Sequence, residues 1–133
     1  MSTATAQQTT TGSNPPVYTD GLGLTILAHR RYVGLSEQDF ADAVGMSLHS
    51  YKRIESGRRP CPPGFLDTVF TVAAEFDRAA DAVLDAWENN AAPGTRVTIA
   101  AGQSPLHRAA LMRAVVIRTG TTPIIIGEEN TDD

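Results

Sequence analysis

The chain has 133 residues, of which 41% are hydrophobic and 20% charged, with a formal net charge of −4. That length suits about one domain and that composition is globular, while the surplus of acid argues against coating nucleic acid or anionic membrane by bulk charge. A single cysteine, Cys61, excludes a disulfide framework and a multi-cysteine zinc site; no apolar run approaches the roughly 20 residues of a membrane span, and no basic-then-apolar leader opens the chain.

Residues 1–20 are Ser, Thr, Gln, Ala, Gly and Pro with the single charge of Asp20, and are expected to be a disordered N-terminal arm. They hold no Arg or Lys that would reach into a groove. Residues 21–75 are assigned to a first unit, in which Leu22 to Pro60 read as short helices broken by glycine. Residues 76–127 form a second unit, which begins as the continuation of one long helical pattern running from Pro62 to Asn90. It ends as strand, helix and strand: Val97-Thr98-Ile99, a helix from Pro105 to about Ile117 with Ser104 as N-cap, and Ile124-Ile125-Ile126. Residues 128–133 are a solvated acidic tail. The expected fold is mainly α, or α+β overall, with a helical bundle, a long helix and a small strand–helix–strand dimerisation unit.

The net charge is a sum of unlike parts. Residues 22–60 carry +2, residues 61–90 carry −5 and residues 91–133 balance. Between Met46 and Pro60 the charge is +3, from Lys52, Arg53, Arg58 and Arg59 against Glu55. A basic module and an acidic helix share one modest total.

The basic module is informative residue by residue. Ser36 is an N-cap, and Asp39 three residues on matches a capping box with Asp in place of Glu or Gln. Phe40, Ala41 and Val44 then share one face of a two-turn helix, and Ala41 is small where a second helix must cross closely. Gly45 permits the positive φ of a tight turn. Ser47 caps a second helix through Glu55, which Ser56-Gly57 ends. Phe40, Val44, Met46, Tyr51 and Ile54 would fix the crossing, leaving Leu48, His49, Ser50, Lys52 and Arg53 outward. Two short helices joined by a glycine turn, the second polar and basic outside, describe a helix-turn-helix.

The stretch GLSEQDFADAVGMSLHSYKRIESGRRP, residues 34–60, resembles the Xre/Cro repressor-type helix-turn-helix family. That family's pattern is Gly-Leu-Ser/Thr-Gln-x-x-Leu-Ala-x-x-Leu-Gly-Val-Ser, followed by Ile-x-x-Ile/Trp-Glu-x-Gly-x-Arg. The resemblance runs from about Leu24 to Pro60 without a gap. Phe40 replaces Leu, Tyr51 replaces Ile or Val, and Glu37 replaces the Gln that often contacts phosphate or base. A carboxylate there is repelled by phosphate unless it accepts from a cytosine amino group or faces elsewhere.

The resemblance implies an ion pair between Arg30 and Glu55, tying the first helix to the third, so Arg30 is structural. It implies DNA contacts from the outward residues. Arg53 suits bidentate bonding to guanine, or otherwise a phosphate, and Ser47, His49 and Ser50 suit base or phosphate. Leu48 suits a thymine methyl, while Lys52, Arg58 and Arg59 hold phosphates, positioning without specifying. Glu37 completes the expected DNA-binding set.

Beyond the motif, Leu66, Val69, Ala73, Phe76, Ala80, Val83 and Trp87 step alternately by three and four, a heptad seam. Its later half extends past what a small helix-turn-helix domain needs, and would pack on a partner copy or on the C-terminal unit. Phe76, Val83, Trp87, Ile124 and Ile126 are the expected dimerisation residues. The strand–helix–strand is too small to stand alone, so it rests on the long helix or two copies combine their strands. Pro60, Pro62 and Pro63, the Ala86-Trp87 helix end and His107-Arg108-Ala109-Ala110 are similar to a narrower group of small dimeric autoregulators of phage and bacteria, anti-CRISPR-associated repressors among them.

No enzyme reading survives. His29, His49 and His107 are far apart and do not pair with Cys61 or a carboxylate at metal-ligand spacing. Gly21-Leu22-Gly23 lacks the third glycine and the preceding strand of a phosphate loop. Cys61 beside two arginines admits a lowered thiol pKa, against the plainer reading of a small turn residue. The chain therefore reads as a cytoplasmic, non-enzymatic, sequence-specific DNA-binding transcriptional regulator without cofactor or metal. It would be a dimeric repressor of its own operon, binding an inverted repeat in double-stranded DNA through residues 47–56. The alternative is an antitoxin or protein-interaction module whose C-terminal unit binds a partner protein.

Overall fold

A computed structural model describes residues 17–90, 96–118 and 125–129. In chain order it contains α1 (Gly23–Val33), α2 (Glu37–Val44), α3 (Leu48–Glu55), α4 (Phe65–Asn90), β1 (Arg96–Ile99), α5 (Pro105–Arg118) and β2 (Ile125–Glu128). The fold is mainly helical with a small sheet after the N-terminal helices, the class that patterning alone implies.

Local chemistry sets the first three helices. The Ser36 hydroxyl accepts from the Asp39 N–H at 3.1 Å and the Ser47 hydroxyl from the Ser50 N–H at 3.2 Å, each satisfying an orphan donor of a first turn. Gly45, at φ 76°, closes α2, and its N–H returns to the carbonyls of Ala41 and Asp42. A side chain at that φ is strained, so the two-helix turn is built on glycine.

The three short helices and the first half of α4 enclose one core. Ile26, Val33, Phe40, Ala41, Tyr51, Ile54 and Val69 are each at most 1% exposed. The Phe40 and Tyr51 rings meet edge-on at 5.6 Å, and Tyr51 lies 6.5 Å from Phe65 at the start of α4. Val44 and Met46 pack against this cluster from the turn, as the crossing requires.

The second half of α4 is covered from within the chain. α5 runs along it, with Ala110 and Ala114 fully buried and Ala80 2% exposed, so small residues let the helices approach closely. Of the two occupants open to the late seam, α5 takes up Phe76, which is 2% exposed. Phe76 is thus core rather than free for a partner copy, because α5 brings a small-residue face that a helix seam read in isolation does not reveal. Val83 and Trp87 are half-buried. Ser104 caps α5, accepting from the His107 N–H at 3.2 Å.

β1 and β2 pair in parallel, with Arg96 opposite Ile125, Val97 opposite Ile126 and Ile99 opposite Glu128. A parallel pair needs a crossover, and α5 supplies it. Ile126 is half-buried in β2, while Ile124 lies outside the described residues. Glu128, placed at the start of an acidic tail from sequence, ends β2 and pairs with Arg108. The Ala101 N–H donates to the Glu129 carboxylate at 2.7 Å; residues 130–133 lie outside the described part.

Residues 1–16 of the expected arm also lie outside it, while Thr19, within the span assigned to that arm, is paired. Thr19 and Cys61 form an antiparallel bridge with backbone bonds of 3.0 and 2.8 Å. The same bridge buries Cys61 to 3% exposure. Burial pushes its thiol pKa up, so the lowered value that neighbouring arginines suggest is overruled by desolvation.

Candidate nucleic-acid interface

The outer face of α3 is where the expected contact residues meet. His49, Lys52 and Arg53 are exposed, with Leu48 and Ser50 half-buried at its first turn. With Glu37, Ser56 and Arg58 the side chains of His49, Lys52 and Arg53 line one shallow open groove. Arg58 is exposed and Arg59 half-buried in the turn that follows. That turn is folded back on the helix, since the Arg59 N–H and the Ser56 hydroxyl both donate to the Arg53 carbonyl, at 3.0 and 3.2 Å. Ser47 is exposed with its hydroxyl engaged in the cap.

Glu37 sits at the edge of this groove, 4.0 Å from the Lys52 ammonium, with both side chains solvated. At that distance and exposure the pair contributes little. Its effect is to place one acceptor among four basic or protonatable groups.

The inner side of α3 is tied to α1 at one residue. The Arg30 guanidinium lies on the Glu55 carboxylate, Nε to Oε2 at 2.8 Å and Nη2 to Oε1 at 3.2 Å, while Nη1 donates to the Leu35 carbonyl at 3.1 Å. The side chains are 16% and 9% exposed. Burial alone would raise the Glu55 pKa, but bonds from Arg30 and Tyr51 outweigh it and hold the carboxyl below its ordinary value. Arg30 is raised by the same bond.

Two features of this tie escape a reading by motif. The Tyr51 hydroxyl also donates to Glu55 Oε2; the Tyr–Glu spacing of four residues on one helix was the available signal. Gly23 begins α1 directly on the end of α3, where an added Cβ would stand 2.5 Å from the Glu55 carbonyl oxygen. That close backbone approach, not phosphate binding, accounts for a glycine at position 23.

A third feature links the two halves. The Arg113 guanidinium of α5 stacks over Tyr32 of α1 at 5.1 Å and over Phe76 of α4 at 5.9 Å. The Tyr32 hydroxyl donates to Asp77 at 2.5 Å. No sequence pattern pairs residues 32, 77 and 113 across such separations.

Elsewhere, no group of three or more His, Cys, Asp or Glu that could hold a metal occurs among the described residues. None of the described helices is long and apolar enough to cross a membrane.

A search of curated proteins finds no match. Residues 22–83, just under half of the chain, match the model of a family described as a helix-turn-helix domain. The match spans α1 to α3 and most of α4, and so includes the whole basic groove together with the tie behind it. Over that stretch the chain is similar to the helix-turn-helix domain family, and the similarity supports a DNA-binding regulator role.

Proposed function

We propose that the chain is a sequence-specific transcriptional regulator of Xre/Cro type, which reads double-stranded DNA by laying residues 47–56 in the major groove. The observation that carries this reading is the exposed basic groove of α3, mounted on a helix whose opposite stripe is fully buried. Major-groove readout requires such a two-faced helix. In this reading Arg53 reads base edges, with His49, Ser50 and Leu48 beside it, and Lys52, Arg58 and Arg59 hold phosphates. Glu37 deters phosphate and accepts from a cytosine amino group.

The regulator is proposed to act in the cytoplasm as a homodimeric repressor of its own operon on an inverted repeat, close to the anti-CRISPR-associated autoregulators. Two copies would set their α3 helices about 34 Å apart on one face of the duplex. Support for a dimer comes from the C-terminal unit, proposed to start near residue 76. A two-stranded sheet is marginal alone, and Met112, Val116, Ile117 and Ile125 are 40%, 75%, 53% and 44% exposed. Val83, Trp87 and Ile126, each half-buried, border that apolar surface in the proposal.

A gel-shift titration on the promoter upstream of the chain's own gene, at two salt concentrations, tests the reading. Arg53→Ala should reduce discrimination between that promoter and scrambled DNA by about 1–3 kcal/mol. Lys52→Ala should weaken binding to both and shallow the salt slope by about one unit. Equal affinity of the wild type for both duplexes defeats the proposal.

A further inference from the structure

Glu55 is a point at which α3 bears on α1. Its backbone carbonyl meets Gly23 at the start of α1, and its carboxylate meets Arg30 seven residues further along the same helix. Seven residues are about two helical turns, roughly 10 Å. A single residue of α3 therefore bears on α1 at two well-separated points, a hold on the helix additional to its buried Tyr51 and Ile54.

Tyr51 stands one turn before Glu55 on that helix. Its ring is fully buried between Phe40 and Phe65 and cannot move independently of the core. Its hydroxyl donates to Glu55 Oε2, the oxygen that also accepts from Arg30 Nε. The carboxylate is thus gripped from α1 by a long, rotatable arginine and from α3 itself by a rigid ring. Arginine alone follows the carboxylate through a range of rotamers; a buried tyrosine does not. The same grip engages both Glu55 carboxylate oxygens with Arg30 and Tyr51, whereas a free carboxylate would compete with phosphate for Lys52 and Arg53.

We propose that the Tyr51 hydroxyl is a positioning group for DNA recognition, holding the Glu55 carboxylate so that α3 presents His49, Lys52 and Arg53 in one fixed pose. The inference rests on the DNA-binding reading above. It assigns to Tyr51 a task beyond filling the core, which a phenylalanine would fill equally well.

The test uses the full chain. A duplex is selected from a randomised library by the wild-type protein, and that duplex and a scramble of it are the two probes for fluorescence anisotropy. Tyr51→Phe, Glu55→Gln and the double variant are measured with the wild type, at a temperature where circular dichroism shows the protein folded. Tyr51→Phe should lose about fivefold in affinity for the selected duplex, the scale of one hydrogen bond, with the scramble unchanged. The double variant should lose no more than the weaker-binding single one, because both act through one carboxylate. An unchanged ratio between the probes, or additive losses, overturns the proposal. So does a Tyr51→Phe protein that fails to fold, since the hydroxyl would then hold the core rather than the pose of the helix. If the wild type recovers no preferred sequence, the DNA-binding reading itself falls, a result separate from any behaviour of Tyr51→Phe.

Discussion

The two halves of the molecule are stabilised in different ways. Around α1 to α3 and the start of α4, large side chains from four helices close on one another, and Tyr51, Phe40, Ile26, Ile54, Val33 and Val69 are the largest fully buried groups. In the C-terminal half the buried residues among those described are Ile99, Ala110, Leu111 and Ala114, with no aromatic ring among them. That half depends on α4 for its support, through close contact of small residues, and its two strands have each other as their main contact. The first half carries most of the large buried side chains. The second half gains its order by attachment, and leaves apolar side chains at its surface.

Truncation separates the halves most sharply. Phe40→Ala should cost about 3–5 kcal/mol in urea unfolding, since it empties a fully enclosed site. Ile126→Ala, from a half-buried strand position, should cost about 1 kcal/mol or less. Comparable losses would mean that the C-terminal unit is as tightly packed as the bundle.

A smaller effect probes the tie within the first half. Arg30→Ala leaves a mostly buried Glu55 with only the tyrosine donor, and should cost on the order of 2 kcal/mol at neutral pH. The sign with pH follows from the direction of the shift. Glu55 titrates below its ordinary value in the folded chain, so its contribution is complete above the unfolded glutamate pKa of about 4.3. It is lost as pH falls below that point and through the folded value. Glu55→Gln should flatten that acid limb in urea titrations between pH 3 and 6, and an unchanged limb would show that other carboxylates govern it.

The smallest expected effect lies at the junction. Arg113→Ala removes the guanidinium from Tyr32 and Phe76 at an exposed position, and should cost about 0.5–1 kcal/mol in thermal unfolding. A much larger loss would make the junction, rather than the bundle, the weak link of the chain.

The same contrast explains what could be read in advance. The caps at Ser36 and Ser47, the turn at Gly45 and the crossing through Phe40 and Ile54 are local, so each leaves its mark within a few residues of sequence. The helix from Pro105 and both strands were legible as elements for the same reason. Their arrangement was not. Whether Phe76 faces α5 or a second copy depends on Ala110 joining the cluster of Phe76 and Ala80, about 30 residues away in the chain. Small residues carry no periodic signal strong enough to name their partner. The Tyr51–Glu55 bond sat unnoticed inside the clearest motif, because a buried aromatic ring explains itself as core before its hydroxyl is considered.

The length of α4 has a kinetic consequence. Phe65 at its start packs beside Tyr51 of α3, and the helix runs for 26 residues. At 1.5 Å per residue, Asp81 and Glu88 lie about 24 and 35 Å further along the axis. Physiological salt damps fields over about 8 Å, so in the proposed reading a phosphate at α3 would scarcely sense those acids. At longer range and lower salt a polyanion would meet the basic cluster of Lys52, Arg53, Arg58 and Arg59 apart from the acids of α4, which Arg113 and Arg118 of α5 partly offset. In the proposed DNA-binding reading, that separation would favour approach by the basic face and raise the rate of productive encounter more than the strength of the complex.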